Sequence, residues 1–246
     1  LSSSSAASDV YKRQHLYGIP GDSVDAVVDS LRTVRDQFKF YHVRHEEVAS
    51  LAAASYTKMT GKIGVALSIG GPGIVHLLNG MYDAKMDNVP QLIIAGQTNS
   101  TLLGTKFFQE TNISKMVDDV AVYHHQIQKG DNVFEITNEA IRTAYEKKGV
   151  SVIICPNDLL TQKIKDTTNR AVDTTKPKPV SPKFKSIKKA AKLIDKAKKP
   201  VMLIGLGTQH AKDELREFIE SAKIPVIHTL PCLLYTSPSP RDKRQS

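Results

Sequence analysis

Two rhythms of apolar and polar positions alternate along the chain. Strand-like segments fall at residues 16–19, 39–43, 63–68, 91–95 and 150–155. The segment at 91–95 holds four apolar residues in a row, as expected of a strand covered on both faces. Between these segments the apolar spacing becomes helical. Val24, Val27, Val28, Leu31 and Val34 fall on one helical face. An Ala-rich helix is predicted over 46–59, stopped by Gly61. Another follows a Gly-Gly-Pro-Gly turn and runs through Ala84. A third is predicted over 133–148, with Ile136, Ala140, Ile141 and Tyr145 facing inward. Strand and helix in regular alternation predict an α/β fold with a doubly wound parallel sheet.

The rhythm breaks after Ile164. Residues 166–183 are polar and carry Pro177, Pro179 and Pro182, which predicts an extended interdomain linker over 166–185. A second, Rossmann-like α/β unit opens at Ser186. Its first helix carries Ile187, Ala190, Ala191 and Ile194 on one face. A strand at 201–204 leads into Gly205-Leu206-Gly207, then a helix at 213–223 and a strand at 225–228. The two ends read differently. Residues 4–14 and 232–242 back-translate to DNA strings that are partly reverse complements of each other. This is the signature of a transposase-type sequencing adapter read through as protein. The expected organisation is therefore a first domain over 15–165, the linker, and the start of a second domain over 186–231. Residues 1–14 and 232–246 are expected to be disordered adapter translation.

Charge changes this picture little. The formal net charge is +9, and about +6 once the flanking segments are set aside. The excess sits mainly between Lys163 and Lys199, without interleaved aromatics and without a nucleic-acid motif, so a solvated linker and helix face is the reading, not a nucleic-acid site. Of the two cysteines, Cys232 belongs to the adapter segment, which leaves Cys155 alone. A disulfide framework is thereby excluded, and a reducing cytoplasm fits. No apolar run is long enough to span a bilayer.

In open α/β sheets, ligands bind at the carboxyl ends of the strands. Three turns fall there. Gly18-Ile19-Pro20-Gly21-Asp22-Ser23 leaves the first strand; Gly21 permits close backbone approach, and Asp22 or Ser23 can cap the next helix. Arg44-His45-Glu46-Glu47 leaves the second and places carboxylates in the first turn of a helix, which by itself is ordinary helix-dipole complementation. Gly70-Gly71-Pro72-Gly73 leaves the third, and lacks both the dinucleotide fingerprint and a P-loop lysine.

Together these turns are more specific than any one of them. GIPGDS, VRHEEVASLAAASYTKMTGK, SIGGPGIVHLLNGMYDAKMDNVPQ and FFQET, in this order and spacing, resemble the pyrimidine-binding domain of thiamine-diphosphate enzymes, and most of all the pyruvate oxidases. The resemblance is dense over 15–164 and continues through the linker into a flavin domain. It implies that Glu46 is the activating glutamate, hydrogen-bonded to N1′ of the aminopyrimidine and so favouring the tautomer that deprotonates C2 of the thiazolium. It implies that Ile19, Pro20, Gly21, Asp22, Ser23, Gly71, Pro72, Gly73 and His76 line the cofactor. Many relatives carry Asn where His76 stands, and some carry Gly where Asp22 stands. Phe108, Gln109 and Glu110 match a loop on the substrate side, where the Gln109 amide can both donate and accept. Gly205 and Gly207 resemble the opening of an FAD-binding domain.

The activity so implied is oxidative decarboxylation of pyruvate with thiamine diphosphate, Mg2+ and FAD. Electrons would pass to oxygen, giving acetyl phosphate, or to a quinone, giving acetate and peripheral membrane association. The full-length parent would be a homodimer or homotetramer. The magnesium motif is expected in a C-terminal domain beyond this sequence, so the fragment alone is expected to be inactive. Two competing readings stand beside this one: a non-oxidative acetolactate-synthase-like carboligase, and a cofactor-free α/β interaction module.

Overall fold

The computed structural model describes residues 14–34, 38–162, 180–208 and 211–229. The linker expected over 166–185 lies outside them except for its last residues, and so do the flanking segments apart from Gln14 and its strand. The chain divides into two compact units, Leu1–Lys178 and Pro179–Ser246.

The sheet of the first unit is parallel, as the alternation predicts, but where the pattern marks five strands it has six. They are β1 (Gln14–Gly18), β2 (Phe38–His42), β3 (Gly64–Ser68), β4 (Gln91–Gln97), β5 (Ala121–Gln126) and β6 (Val150–Pro156). Their order across the sheet is β2-β1-β3-β4-β6-β5. The chain moves outward from β1 to β2, then back past β1 to β3. The winding reverses between β1 and β3, and that reversal marks a crevice at the carboxyl ends of these two strands.

Helices cover both faces. On one lie α1 (Asp25–Thr33) and α5 (Val133–Lys147). On the other lie α2 (Glu46–Thr60), α3 (Pro72–Met86) and the short α4 (Ile113–Val117). The central strands are buried throughout, and successive residues go to opposite layers. In β4, Leu92 packs with Val24, Ile141 and Tyr145, while Ile93 packs with Ala53, Leu77 and Met81. A run of apolar residues with no polar break is what two covered faces require. Each fully buried Ile, Leu or Met contributes about 1.5–3 kcal/mol by leaving water.

Helix α2 is Ala-rich because it lies very close to its neighbours. A side chain on Gly64 would meet the Ala53 carbonyl oxygen at 2.0 Å, and one on Gly80 of α3 would meet Ser50 at 2.5 Å. The buried Gln91 amide closes this contact by donating to the Ser50 carbonyl oxygen at 2.7 Å. Helix α2 ends where the sequence predicts, at Gly61 in the left-handed conformation with φ 71°.

Some expectations shift. Neither Asp22 nor Ser23 caps α1. The helix starts later, with Val24 at the N-cap position and no side-chain cap, because a turn intervenes in which the Val24 N–H donates to the Gly21 carbonyl. Strand β1 begins at Gln14, whose backbone pairs with Phe38. Backbone pairing needs no particular side chain, so a residue assigned to the flanking segment can extend the strand. Strand β5 is absent from the hydrophobic pattern. It is the edge strand AVYHHQ, half-buried at every position, so it shows neither a continuous apolar run nor clean alternation.

The second unit contains α7 (Phe184–Lys196), β7 (Met202–Ile204), α8 (Lys212–Ala222) and β8 (Val226–His228), after the four-residue α6 (Asn157–Leu160) that ends the first. Strands β7 and β8 pair in parallel. Helix α7 opens at Phe184, within the segment expected to be linker. Among the described residues of this unit only Ile204 and Ile224 are buried.

Candidate active site

The site is assembled from three helix starts and one loop at the carboxyl edge of the sheet. His45 leaves β2 in extended conformation and caps α2, its Nδ1 accepting from the Glu47 N–H at 3.3 Å. This fixes the backbone of Glu46 in the first turn. The Glu46 side chain turns toward α3 rather than into water and is only 13% exposed. There its Oε2 lies 3.0 Å from Nδ1 of His76, one turn into α3. The rings of His76 and His45 lie beside each other, with centroids 4.5 Å apart. A second polar contact runs parallel to the first: Asn79, three residues after His76 on the same helical face, donates to Glu47. Two consecutive carboxylates on α2 are thus held by residues three apart on α3.

The glycine turns show what each glycine admits. Gly71 has φ 58°, and a side chain there would stand 2.7 Å from the Gln109 carbonyl oxygen. A side chain on Gly21 would strike Ile69 at 2.5 Å, and one on Gly73 would meet Ile69 and Ser68 at 2.9 Å. These glycines therefore let segments of the chain close on one another. Across the winding reversal, Ser23 Oγ accepts from the Gly70 N–H at 3.2 Å and ties the turn after β1 to the turn after β3. Asp22 accepts from the Ser23 N–H and, with Ser23, Asn157 and Asp158, lines a cleft of about 310 Å³. Ile19 and Pro20 complete the turn, half-buried and exposed respectively. Pro72 occupies the start of α3, where a missing N–H costs nothing.

The loop after β4 reaches the same region. Gln109 is in the left-handed conformation with φ 61°, and its backbone covers Gly71. Phe108 beside it is 73% exposed. This loop is shaped by Glu110, which the resemblance groups with Phe108 and Gln109 without giving it a role of its own. The Glu110 carboxylate accepts from the backbone N–H groups of Gly104 and Phe107. The Gly104 N–H foremost, with those of Phe107, Lys106 and Thr105, holds its carboxyl below the usual range against the opposing pull of desolvation. Glu110 is a positioning residue for Phe108 and Gln109. Its only sequence signal is its place in FFQET, because a carboxylate folding back on preceding amides leaves no periodic trace.

Glu46, His76, Gly71, Pro72, Gly73 and the 108–109 loop therefore converge around the start of α3, and Gly21 and Ser23 are tied in through Ile69 and Gly70. Gly205 and Gly207 stand apart as local structure. Neither adopts a positive φ. A side chain on Gly205 would make only ordinary contact with Thr229, and one on Gly207 would meet open space. Among the described residues, no helix is long and apolar enough to cross a membrane.

Comparison with known proteins agrees with this geometry. The model of the thiamine pyrophosphate enzyme N-terminal binding domain matches residues 8–116, and that of the central domain of the same enzymes matches residues 187–238. YdaP of Bacillus subtilis, a protein named for thiamine pyrophosphate, is 48% identical over 88% of this chain and 38% of its own length. Pyruvate oxidase of Lactiplantibacillus plantarum is 38% identical over 88% of this chain and 36% of its own. An acetolactate synthase of Mycobacterium leprae is 35% identical over 87% and 35%. The chain spans little more than a third of the length of these relatives. It belongs to the thiamine pyrophosphate-dependent enzyme family and carries that family's N-terminal binding domain with the start of the central domain.

Proposed function

We propose that the parent protein is a thiamine-diphosphate- and flavin-dependent pyruvate oxidase, in which this chain supplies the residues that bind the aminopyrimidine. The observation that carries the proposal is Glu46: a carboxylate at a helix start, largely withdrawn from water, held by a single imidazole at the carboxyl edge of a parallel sheet.

The residues present fit the aminopyrimidine end of the cofactor. Glu46 offers a carboxyl group able to share a proton with a ring nitrogen, and His76 holds one of its oxygens. Gly71, Pro72, Gly73 and the tied turn at Gly21 to Ser23 would flank it, and the Gln109 amide can donate to or accept from a 2-oxo acid. When bound, thiamine supplies the nucleophilic carbon and the electron sink for decarboxylation. The protein's own contribution is to hold the proton at Glu46 and to fix the loop bearing Phe108 and Gln109 through Glu110.

The flavin rests on the resemblance. Gly205 and Gly207 form no tight cradle among the described residues, so no step is assigned to them. No described residue is assigned to Mg2+. Acetolactate synthase is the second reading, favoured by a 35% identical relative of that name. Homo-oligomeric assembly and the choice of oxygen or quinone as acceptor belong to the full-length proposal.

The test uses the full-length parent with pyruvate, thiamine diphosphate, Mg2+ and FAD, in aerated phosphate buffer or with a quinone. Peroxide formation or quinone reduction is the expected result; acetolactate as the main product would replace the oxidase by the carboligase. Glu46→Gln should lower kcat by about 10²–10⁴-fold, the usual contribution of a positioned acid–base group. Unchanged turnover in that variant would remove Glu46 from the chemistry altogether.

A further inference from the structure

We propose that His45, Glu46 and His76 form a binding site for a divalent transition ion of the zinc class, and that such an ion blocks Glu46. The ligand atoms of the three residues all lie within 4.8 Å of one another. One edge of the site already has the required length. Two donors about 2.0–2.2 Å from a common ion, at angles between octahedral and tetrahedral, stand about 2.8–3.5 Å apart. Nδ1 of His76 and Oε2 of Glu46 are 3.0 Å apart. His45 lies with its ring against that of His76 and must move closer to complete the site; its Nδ1 caps α2, which leaves Nε2 for the ion.

The scaffold under these donors is stiff. His45 and Glu46 occupy the cap and first position of α2, so their backbones are set by the helix start. His76 is held opposite by the α2–α3 contact, where Gly80 allows Ser50 to come close. Two imidazoles and one carboxylate are the donor set of zinc, copper and nickel rather than of magnesium, which takes oxygen ligands. Three protein ligands leave a position open for water. The positive end of the α2 dipole opposes a cation here and tempers the affinity.

Cation binding stands on this geometry alone. Its consequence rests on the proposed role of Glu46: a carboxylate ligated to an ion cannot also share a proton with the aminopyrimidine, so ion and thiamine diphosphate exclude each other.

Zinc is titrated into the complete 246-residue chain against a competing chelator. Saturable binding is expected, with His45→Ala and His76→Ala each weakening it by at least about tenfold, the loss seen even when only the outer partner of a ligand is removed. His124, in the edge strand β5, is not one of the three ligands, and His124→Ala should bind as the parent chain does. Should a variant fail to fold, the His45 and His76 ring resonances of the unaltered chain provide the second readout, and zinc must shift both. Binding that is unaffected by either substitution, or that leaves both rings unshifted, overturns the site. A second arm adds zinc to the full-length apoenzyme, where the thiamine diphosphate concentration giving half-maximal activity should rise. Zinc held by the three residues with no such rise would keep the site and overturn the aminopyrimidine role of Glu46. Absence of zinc binding would overturn the site and leave that role standing.

Discussion

Two glycine-bearing turns leave strands at their carboxyl ends, one in each unit, and they differ in what the glycines touch. At Gly70-Gly71-Pro72-Gly73 every missing side chain is replaced by a neighbour: a carbonyl of β4, the backbone of Gln109, and the side chains of Ile69 and Ser68. At Gly205-Leu206-Gly207 one position makes ordinary contact and the other none. The helices next to them show the same contrast. Leu77 in α3 is fully buried, whereas Ile187 on the apolar face of α7, a helix more amphipathic than α3, is 49% exposed. A helix acquires its face from its own sequence, but stability comes only from a surface that covers that face. Six strands with helices on both sides provide such a surface; the two three-residue strands among the described residues of the second unit do not.

The largest effects should separate the units by core truncation. Leu77→Ala is expected to cost about 2–5 kcal/mol, read as a lowered denaturant midpoint of the first unit. Ile187→Ala, on the apolar face of α7, should stay within about 0.5 kcal/mol, as for an ordinary surface position. Similar costs for both would mean that α7 is covered in solution.

The glycines sharpen the comparison further. Gly71→Ala forces a side chain into a left-handed residue and against Gln109, and should cost about 1–3 kcal/mol in thermal stability. Gly207→Ala meets no atom and should leave the melting temperature unchanged or slightly higher, by loss of unfolded-state freedom worth about 0.4–1 kcal/mol.

A smaller effect concerns pH. The Glu110 carboxyl is held below its usual range in the folded chain, so its contribution is fully present above the ordinary carboxylate range and is lost as pH falls through the folded value. Hydrogen exchange at the Gly104 and Phe107 amides should accelerate relative to the rest of the chain on acidification, and Glu110→Gln should remove that pH dependence. Exchange that follows only the general pH trend would deny the carboxylate its role in shaping the loop.

The subtlest probe is Cys155, whose thiol is pushed up to about 12 by desolvation. It should resist alkylation at neutral pH and react only when the first unit unfolds. Rapid labelling at Cys155 itself, in a Cys232→Ser chain under native conditions, would contradict the packing of β6 against α5.

Much of the fold is visible in the chain itself, and the reasons are local. Continuous apolar runs mark strands covered on both faces, Gly61 stops α2, and the Val, Leu and Ile spacing of α1 and α5 follows the helical period. The carboxyl edge was legible because parallel strands put every strand-to-helix turn on one side. Strand β5 was not legible, since half-buried polar residues carry no period. Nor were the Glu46–His76 pair, separated by thirty positions, and the Glu110 hold on its loop.

By itself, then, the order of residues determined the elements, the parallel winding and the short list of residues at the carboxyl edge, because periodicity and turn chemistry act over a few residues at a time. Only the tertiary structure decided which side chains on that list meet, that the glycines serve contacts within the chain, and that, among the described residues, an apolar helix face in the second unit is left uncovered. Such contacts depend on distances between segments far apart in sequence, and no local pattern encodes a distance across a sheet.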